Sequence, residues 1–216
     1  METSITATCA IRGRQIFLNG TLLFEAPEDT AADLSDFLIA GYRHFGVSYP
    51  KFFKMDVLSK LAFLTAELLL PKAGLQDRLR PADIGVVLTN RSSSLLTDVV
   101  HQQSIAEPAS HFPSPAVFVY TLPNIAIGEI SIRHQLTGEN SLFVTESFEP
   151  AMLVPYVSQL LAEKSCQACL CGWLEAGLTG HEAFFYLVEN HASPAPTPRP
   201  HRVPDVELLY SQPHYS

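Results

Sequence analysis

Four cysteines and eight histidines are the residues of this 216-residue chain best suited to nucleophilic or metal chemistry. The cysteines are Cys9, Cys166, Cys169 and Cys171, the last three forming a Cys-x-x-Cys-x-Cys cluster. A zinc site needs a fourth ligand and usually turn residues around its chelating loop. The surrounding CQACLCGW is instead apolar and leads into a strand-like segment, where alternation puts Cys169 and Cys171 on one face. They read as small buried residues, and neither a metal nor any other cofactor is expected. The histidines, at 44, 101, 111, 134, 181, 191, 201 and 214, are scattered, with none at metal-ligand spacing from a second ligand. His134 closes a predicted helix, where a cation suits the C-terminal end of the dipole. His101, beside Gln102 and Gln103, is expected at the surface. Asn90-Arg91-Ser92-Ser93-Ser94 sits between a predicted strand and a helix, which invites an anion-binding reading. A phosphate loop needs two glycines and a lysine before its serine. This segment has neither, so it reads as a turn, with Arg91 the residue to watch for contact with a phosphate.

The elements that must position these residues alternate between strand and helix, which gives an α/β class. Residues 8–25 read as a strand pair turning at Asn19-Gly20. Residues 29–44 read as a helix capped by Asp29 or Thr30. Asp56–Leu70 reads as a helix with a wide apolar stripe, ended by Pro71. DIGVVLT fits a buried parallel strand and is followed by a helix over 94–104. A proline-punctuated loop fills 105–124, then a helix covers Ile125–His134. Gly128 inside it costs about 1 kcal/mol against alanine, so a close packing contact is expected there. GENSLFVTES is a turn and short strand, PAMLVPYVSQLLAEK a helix apolar nearly all round, and CQACLCGWLEA and EAFFYLVEN are strands. The tail from His191 carries six prolines in 26 residues, so an extended arm without regular helix is expected after a domain spanning 1–190.

Composition narrows the function further. The chain is 47% hydrophobic and 17% charged, against roughly 25% charged in an average soluble domain. That excludes a disordered chain and points to apolar surface covered by a partner. Fourteen basic against 22 acidic residues leave a net charge of −8, so nucleic acid, which demands a positive field, is not expected as a partner. No stretch approaches the roughly 20 apolar residues of a membrane span, and METSITATCAIRGRQ lacks the pattern of a signal peptide. A cytoplasmic protein without a membrane partner is expected.

Several pieces, in order, resemble the N-terminal half of a β-ketoacyl synthase, of the thiolase-like fold. They are KMDVLSKLAFLTAELLL, DIGVVLTNRSSS and FPSPAVFVYTLPNIAIGEISIRHQLTGEN, the last with Asn124, Gly128, Gly138 and Asn140 at matching places. The resemblance covers roughly residues 45–190 and implies a thiolase-like half-domain, a mixed sheet with helices on both faces. It also implies a nucleophilic cysteine after the strand LFVT. Setting Thr145 on the family's threonine puts Glu146 on its alanine and Ser147 on its cysteine. The family's second half, with the histidines or histidine and asparagine that activate the malonyl group, has no counterpart in these 216 residues.

That replacement changes the chemistry. A condensing enzyme carries its acyl group on a thiolate, which a helix N-terminus favours at neutral pH. A serine keeps its proton and needs a positioned base, and no glycine lies within two positions of Ser147 to form the hydrolase elbow. Ser147 therefore reads as an inactive replacement, and Glu146 as a capping carboxylate. In the resembled fold the following helix lies between the two halves, so in a lone half its Met152, Tyr156 and Leu160 would meet a partner. A second copy, a complete synthase or the chain's own tail would cover it, and Pro155 would kink it. The resemblance implies a non-condensing accessory subunit, of chain-length-factor type, paired with an active ketosynthase in fatty-acid or polyketide-type assembly. The alternatives are a serine-dependent acyl transferase or thioesterase using Ser147, and a homodimeric module that binds an acyl carrier protein without chemistry.

Overall fold

The computed structural model describes residues 3–27, 33–106, 113–190 and 198–212. The elements are β1 (Thr3–Arg12), β2 (Gln15–Leu18), β3 (Thr21–Glu25), α1 (Leu34–His44), α2 (Val57–Ala73), β4 (Ile84–Asn90), α3 (Leu95–Ile105), α4 (Pro115–Val119), α5 (Ile125–His134), β5 (Asn140–Val144), α6 (Pro150–Ala162), β6 (Ala168–Gly177), β7 (Gly180–Asn190), β8 (Arg199–Pro200) and α7 (Val203–Ser211). One mixed sheet runs β3-β2-β1-β7-β6-β4-β5, with β8 paired to β1. Strands β4, β5 and β6 are mutually parallel, and the other pairings are antiparallel.

Alternation along the strands splits the core in two. Cys9, Ile11, Phe185 and Leu187 face α1, α2 and α5, while Ala10, Phe184, Tyr186 and Val188 face α6 and α7. Helices cover both faces, as the resemblance implies. Helix α2 is buried nearly all round, from Leu58 to Leu70, because it lies between the sheet, α1 and α5. The helix expected to be the most enclosed, α6, keeps exposed residues at Ala151, Pro155, Gln159 and Ala162.

Several local expectations are corrected. The N-terminal segment forms three strands rather than two, because Gly13 also turns the chain, at φ 53°, ahead of the Asn19-Gly20 turn. Helix α1 is capped by Asp33, which accepts from the Asp36 N–H; Asp29 and Thr30 lie outside the described residues. Pro71 does not end α2, which continues until Gly74 adopts the left-handed conformation. In the loop of 105–124, Pro115 opens the short helix α4. Gly128 has no close contact, since a Cβ there would meet nothing within 4 Å. Glycines crowded by backbone include Gly138, whose Cβ would strike the Ile84 carbonyl, and Gly172, whose Cβ would strike the Phe184 carbonyl. Helix α6 runs through Pro155 unbroken. His101 is half-buried against Phe118, with ring centroids 5.5 Å apart, rather than exposed.

The proline-rich tail also departs from expectation by forming a helix. Pro204 falls in the first turn of α7, where the backbone N–H it lacks would have had no intrahelical partner. Val206 is then fully buried against the second core.

Candidate functional site

Parallel strands β4 and β5 deliver their loops to the same edge of the sheet, and the Thr145 N–H donates to the Asn90 carbonyl (2.8 Å) to join them. The loop after β4 is held from within. Glu175 of β6, 6% exposed, accepts from the backbone N–H of Arg91 (2.9 Å) and Ser92 (3.1 Å) and from the Ser92 hydroxyl. Asn90 is fully buried and donates its amide to the Ser93 carbonyl at 2.9 Å, and Ser93 takes φ 53°. Ser94 donates to the Thr121 carbonyl at 2.6 Å. A carboxylate of the chain itself thus occupies the place an anion would take. Gly177 makes room for it, since a Cβ there would lie 2.6 Å from Glu175 and 2.8 Å from Ser92. The Arg91 side chain is exposed and reaches the Thr179 hydroxyl at 3.4 Å.

The loop after β5 has a different character. Thr145 donates its hydroxyl to the Ser147 carbonyl at 2.8 Å, and Phe148 packs on Tyr210 with ring centroids 4.7 Å apart. Phe148 anchors the loop, while Glu146 and Ser147 are exposed. Among the described residues neither side chain takes part in a hydrogen bond or ion pair. Among the described residues the non-glycine ones at positive φ are Asn19, Ser93, Gln135 and Lys164, so Ser147 does not occupy a left-handed elbow. A serine needs a base to give up its proton, and none is placed against it there.

The four thiols are free and buried. Burial pushes Cys9 up to about 12. The hydrogen bond to Cys169 and burial raise Cys166 well above the ordinary thiol range. Neither supplies a thiolate at neutral pH.

Of the predicted partner residues on α6, Met152, Tyr156 and Leu160 are half-buried. The Tyr156 ring meets Phe143 edge-on at 5.1 Å, and its hydroxyl lies 3.2 Å from that of Ser141. Helix α7, in the chain's own tail, packs against part of α6. Exposed apolar side chains gather elsewhere: Phe53, Leu95, Val99, Val100, Phe118 and Leu122 lie on or beside α3, α4 and the turn before α2. Between these elements runs a mainly apolar groove of about 300 Å³, with Met55, Leu96, Val117 and Tyr120 in its wall.

Two carboxylates that sequence reasoning passed over, Glu129 buried and Glu67 half-buried, hold the scaffold. Glu67 of α2 takes a bidentate bond from Arg133, and its carboxylate lies 3.3 Å from His134 Nε2. Burial pushes its pKa up, but the hydrogen bonds from Arg133 and His134 outweigh that and bring it to about 2. Glu129 of α5 pairs with Lys51 at 2.8 Å and accepts from the Tyr120 hydroxyl at 3.0 Å. The helix-end position predicted for His134 is observed, with Glu67 as the added partner. Glu175 was missed as well, and its signal was a lone carboxylate inside the apolar run CLCGWLEAG.

A mixed sheet clothed by helices on both faces, with open and closed loops at the end of a parallel pair, is a thiolase-like ketosynthase fold. The profile of the family "Beta-ketoacyl synthase, N-terminal domain" matches residues 39–189, and the chain belongs to that family. No curated protein sequence matches it. Among solved structures it is similar to the ishigamide ketosynthase/chain length factor, at 18% identity and TM-score 0.60, over 88% of this chain and 62% of that one. It is similar to a ketosynthase (ApeO) in complex with its chain length factor (ApeC) from Xenorhabdus doucetiae, at 14% identity and TM-score 0.56, over 89% and 80%. A third is a type II PKS acyl-carrier protein in complex with its ketosynthase bound to the hexaketide, at 13% identity and TM-score 0.57, over 88% and 62%. The chain thus spans less than two thirds of two of these three structures. No helix among the described residues is long and apolar enough to cross a membrane.

Proposed function

We propose that this chain is a non-condensing, ketosynthase-like subunit, of accessory or chain-length-factor type, that pairs with an active ketosynthase in fatty-acid or polyketide-type acyl assembly. The observation that carries this reading is the loop after β5. Where the family resemblance puts the acylated cysteine, Ser147 is an exposed hydroxyl with no base beside it, and Cys9 and Cys166 are buried, non-ionised thiols. Structural neighbours described as ketosynthase and chain length factor pairs support the same reading. An acyl carrier protein is the second partner we propose, with exposed Arg91 as its phosphate contact. The four free thiols accord with a cytoplasmic location.

The ketosynthase would dock on the apolar side chains of α3 and α4, because large exposed apolar residues gather there. Co-expression with an active type II ketosynthase tests this. The expected result is co-elution of the two chains, a change in product chain length, and loss of both with Val100→Asp. A chain that elutes alone and leaves products unchanged overturns the reading. A serine-dependent transferase predicts instead an acyl adduct on Ser147, visible by intact mass after incubation with an acyl thioester. None is expected.

A further inference from the structure

Among the described residues Ser147 has no base beside it, but Ser158 does. The Ser158 hydroxyl, on α6, lies 3.3 Å from His201 Nδ1, across 43 positions of sequence. Each partner is held by its own element. Val154, Val157 and Leu161 seat α6 in the second core, and Asn190 donates its amide to the Leu161 carbonyl at 3.0 Å. His201 is 5% exposed, its N–H donates to the Thr3 carbonyl at 2.9 Å, and its ring lies 5.9 Å from that of Tyr186. Packing thus fixes the imidazole, a task that falls to a carboxylate in a catalytic triad.

The pair is open to small molecules, because both residues line a cleft of about 500 Å³. Thr3 and Arg202 in its wall carry side chains able to donate to an oxyanion. Ala162 and Pro200 add apolar surface suited to a short acyl chain. Burial lowers the His201 pKa to about 4, so the ring is uncharged at neutral pH. With its proton on Nε2, Nδ1 is the acceptor for the Ser158 hydroxyl. A neutral imidazole at this distance is what a serine needs to act as a nucleophile.

We propose that Ser158 and His201 are a nucleophile and base that hydrolyse short acyl esters or thioesters bound in this cleft. Ser158 Oγ bonds the acyl carbon as its proton passes to Nδ1. That proton then goes to the departing alkoxide or thiolate, which leaves as an alcohol or thiol. Water next attacks the acyl-serine carbon and gives a proton to Nδ1. Ser158 Oγ departs with that proton as the carboxylic acid is released. The activity stands apart from the chain-length role, because the cleft lies on the opposite face of the sheet from α3 and α4.

Treatment of the full-length chain with a fluorophosphonate tests it, with peptide mass mapping to place the adduct and no ketosynthase present. One adduct on Ser158 is expected, and none on the Ser158→Ala chain. His201→Gln is expected to label at least about a hundredfold more slowly, the share a general base supplies. No adduct on the native chain, an adduct at another serine only, or His201→Gln labelling at the native rate overturns the proposal. The mapping on the native chain decides even where His201→Gln fails to fold. Turnover of p-nitrophenyl acetate gives a second reading with the conservative serine variant alone. Ser158→Ala is expected to lower the rate at least about tenfold, and a rate equal to the native one overturns the proposal.

Discussion

The loops after β4 and β5 begin on adjacent parallel strands, carry serines, and are joined by one backbone bond, yet they have opposite fates. Ser92 and the two N–H groups around it converge on the buried carboxylate of Glu175. Ser147 points outward with its hydroxyl unengaged among the described residues. Both loops leave strand ends that offer backbone donors to an anion. What separates them is β6, the strand beside β4, which supplies the first loop with an anion of its own and has no such residue for the second. A closed loop of this kind is scaffold, and the open one is the place where a binding or catalytic function can be gained or lost.

Breaking the closed loop should have the largest effect. Glu175→Ala removes the acceptor from two N–H groups and a hydroxyl in a buried setting, and is expected to cost about 3 kcal/mol, read by urea unfolding. A loss under about 1 kcal/mol would mean the loop holds its shape without the carboxylate. Ser92→Ala removes one hydroxyl while both N–H bonds remain, so about 1 kcal/mol is expected in the same assay. A thiol reagent sharpens the contrast in accessibility. Ser147→Cys is expected to add one thiol that reacts in the native chain, while the four native cysteines react only on unfolding. The smallest effect belongs to the open loop itself. Ser147→Ala and Glu146→Gln should each change stability by less than about 0.5 kcal/mol, and a larger loss would show that this loop is also held.

Much of the fold was legible because hydrophobic periodicity reports burial. The run DIGVVLT read as a buried parallel strand, and β4, from Ile84 to Asn90, is one and is fully buried. The bounds of α5 were set by its pattern and are observed at Ile125–His134. What failed to show were the places where a residue's meaning depends on a partner far along the chain. Glu175 and Ser92 are separated by 83 positions, and nothing local to either announces the bond. Prolines misled in the tail and at Pro71 because their effect depends on which turn of the helix they occupy. Ser147 was singled out only through family resemblance, since an exposed serine without partners carries no local signature of its own.

Strand β1 is bonded to β2, its near neighbour, but also to β7 and β8, with Thr3 opposite Asn190 and Ser4 opposite Pro200. Strand β1 leaves the ribosome well before β7 and β8 and therefore waits for them before it can enter the sheet. Until then only the local hairpins of β1, β2 and β3 can form, and a strand edge stays open to other chains. Contacts this distant in sequence also slow folding, because loop closure must precede any gain from pairing. Synthesis of this protein should thus lean on holding factors that shield the N-terminal hairpins, with the sheet closing in one late step when β7 arrives.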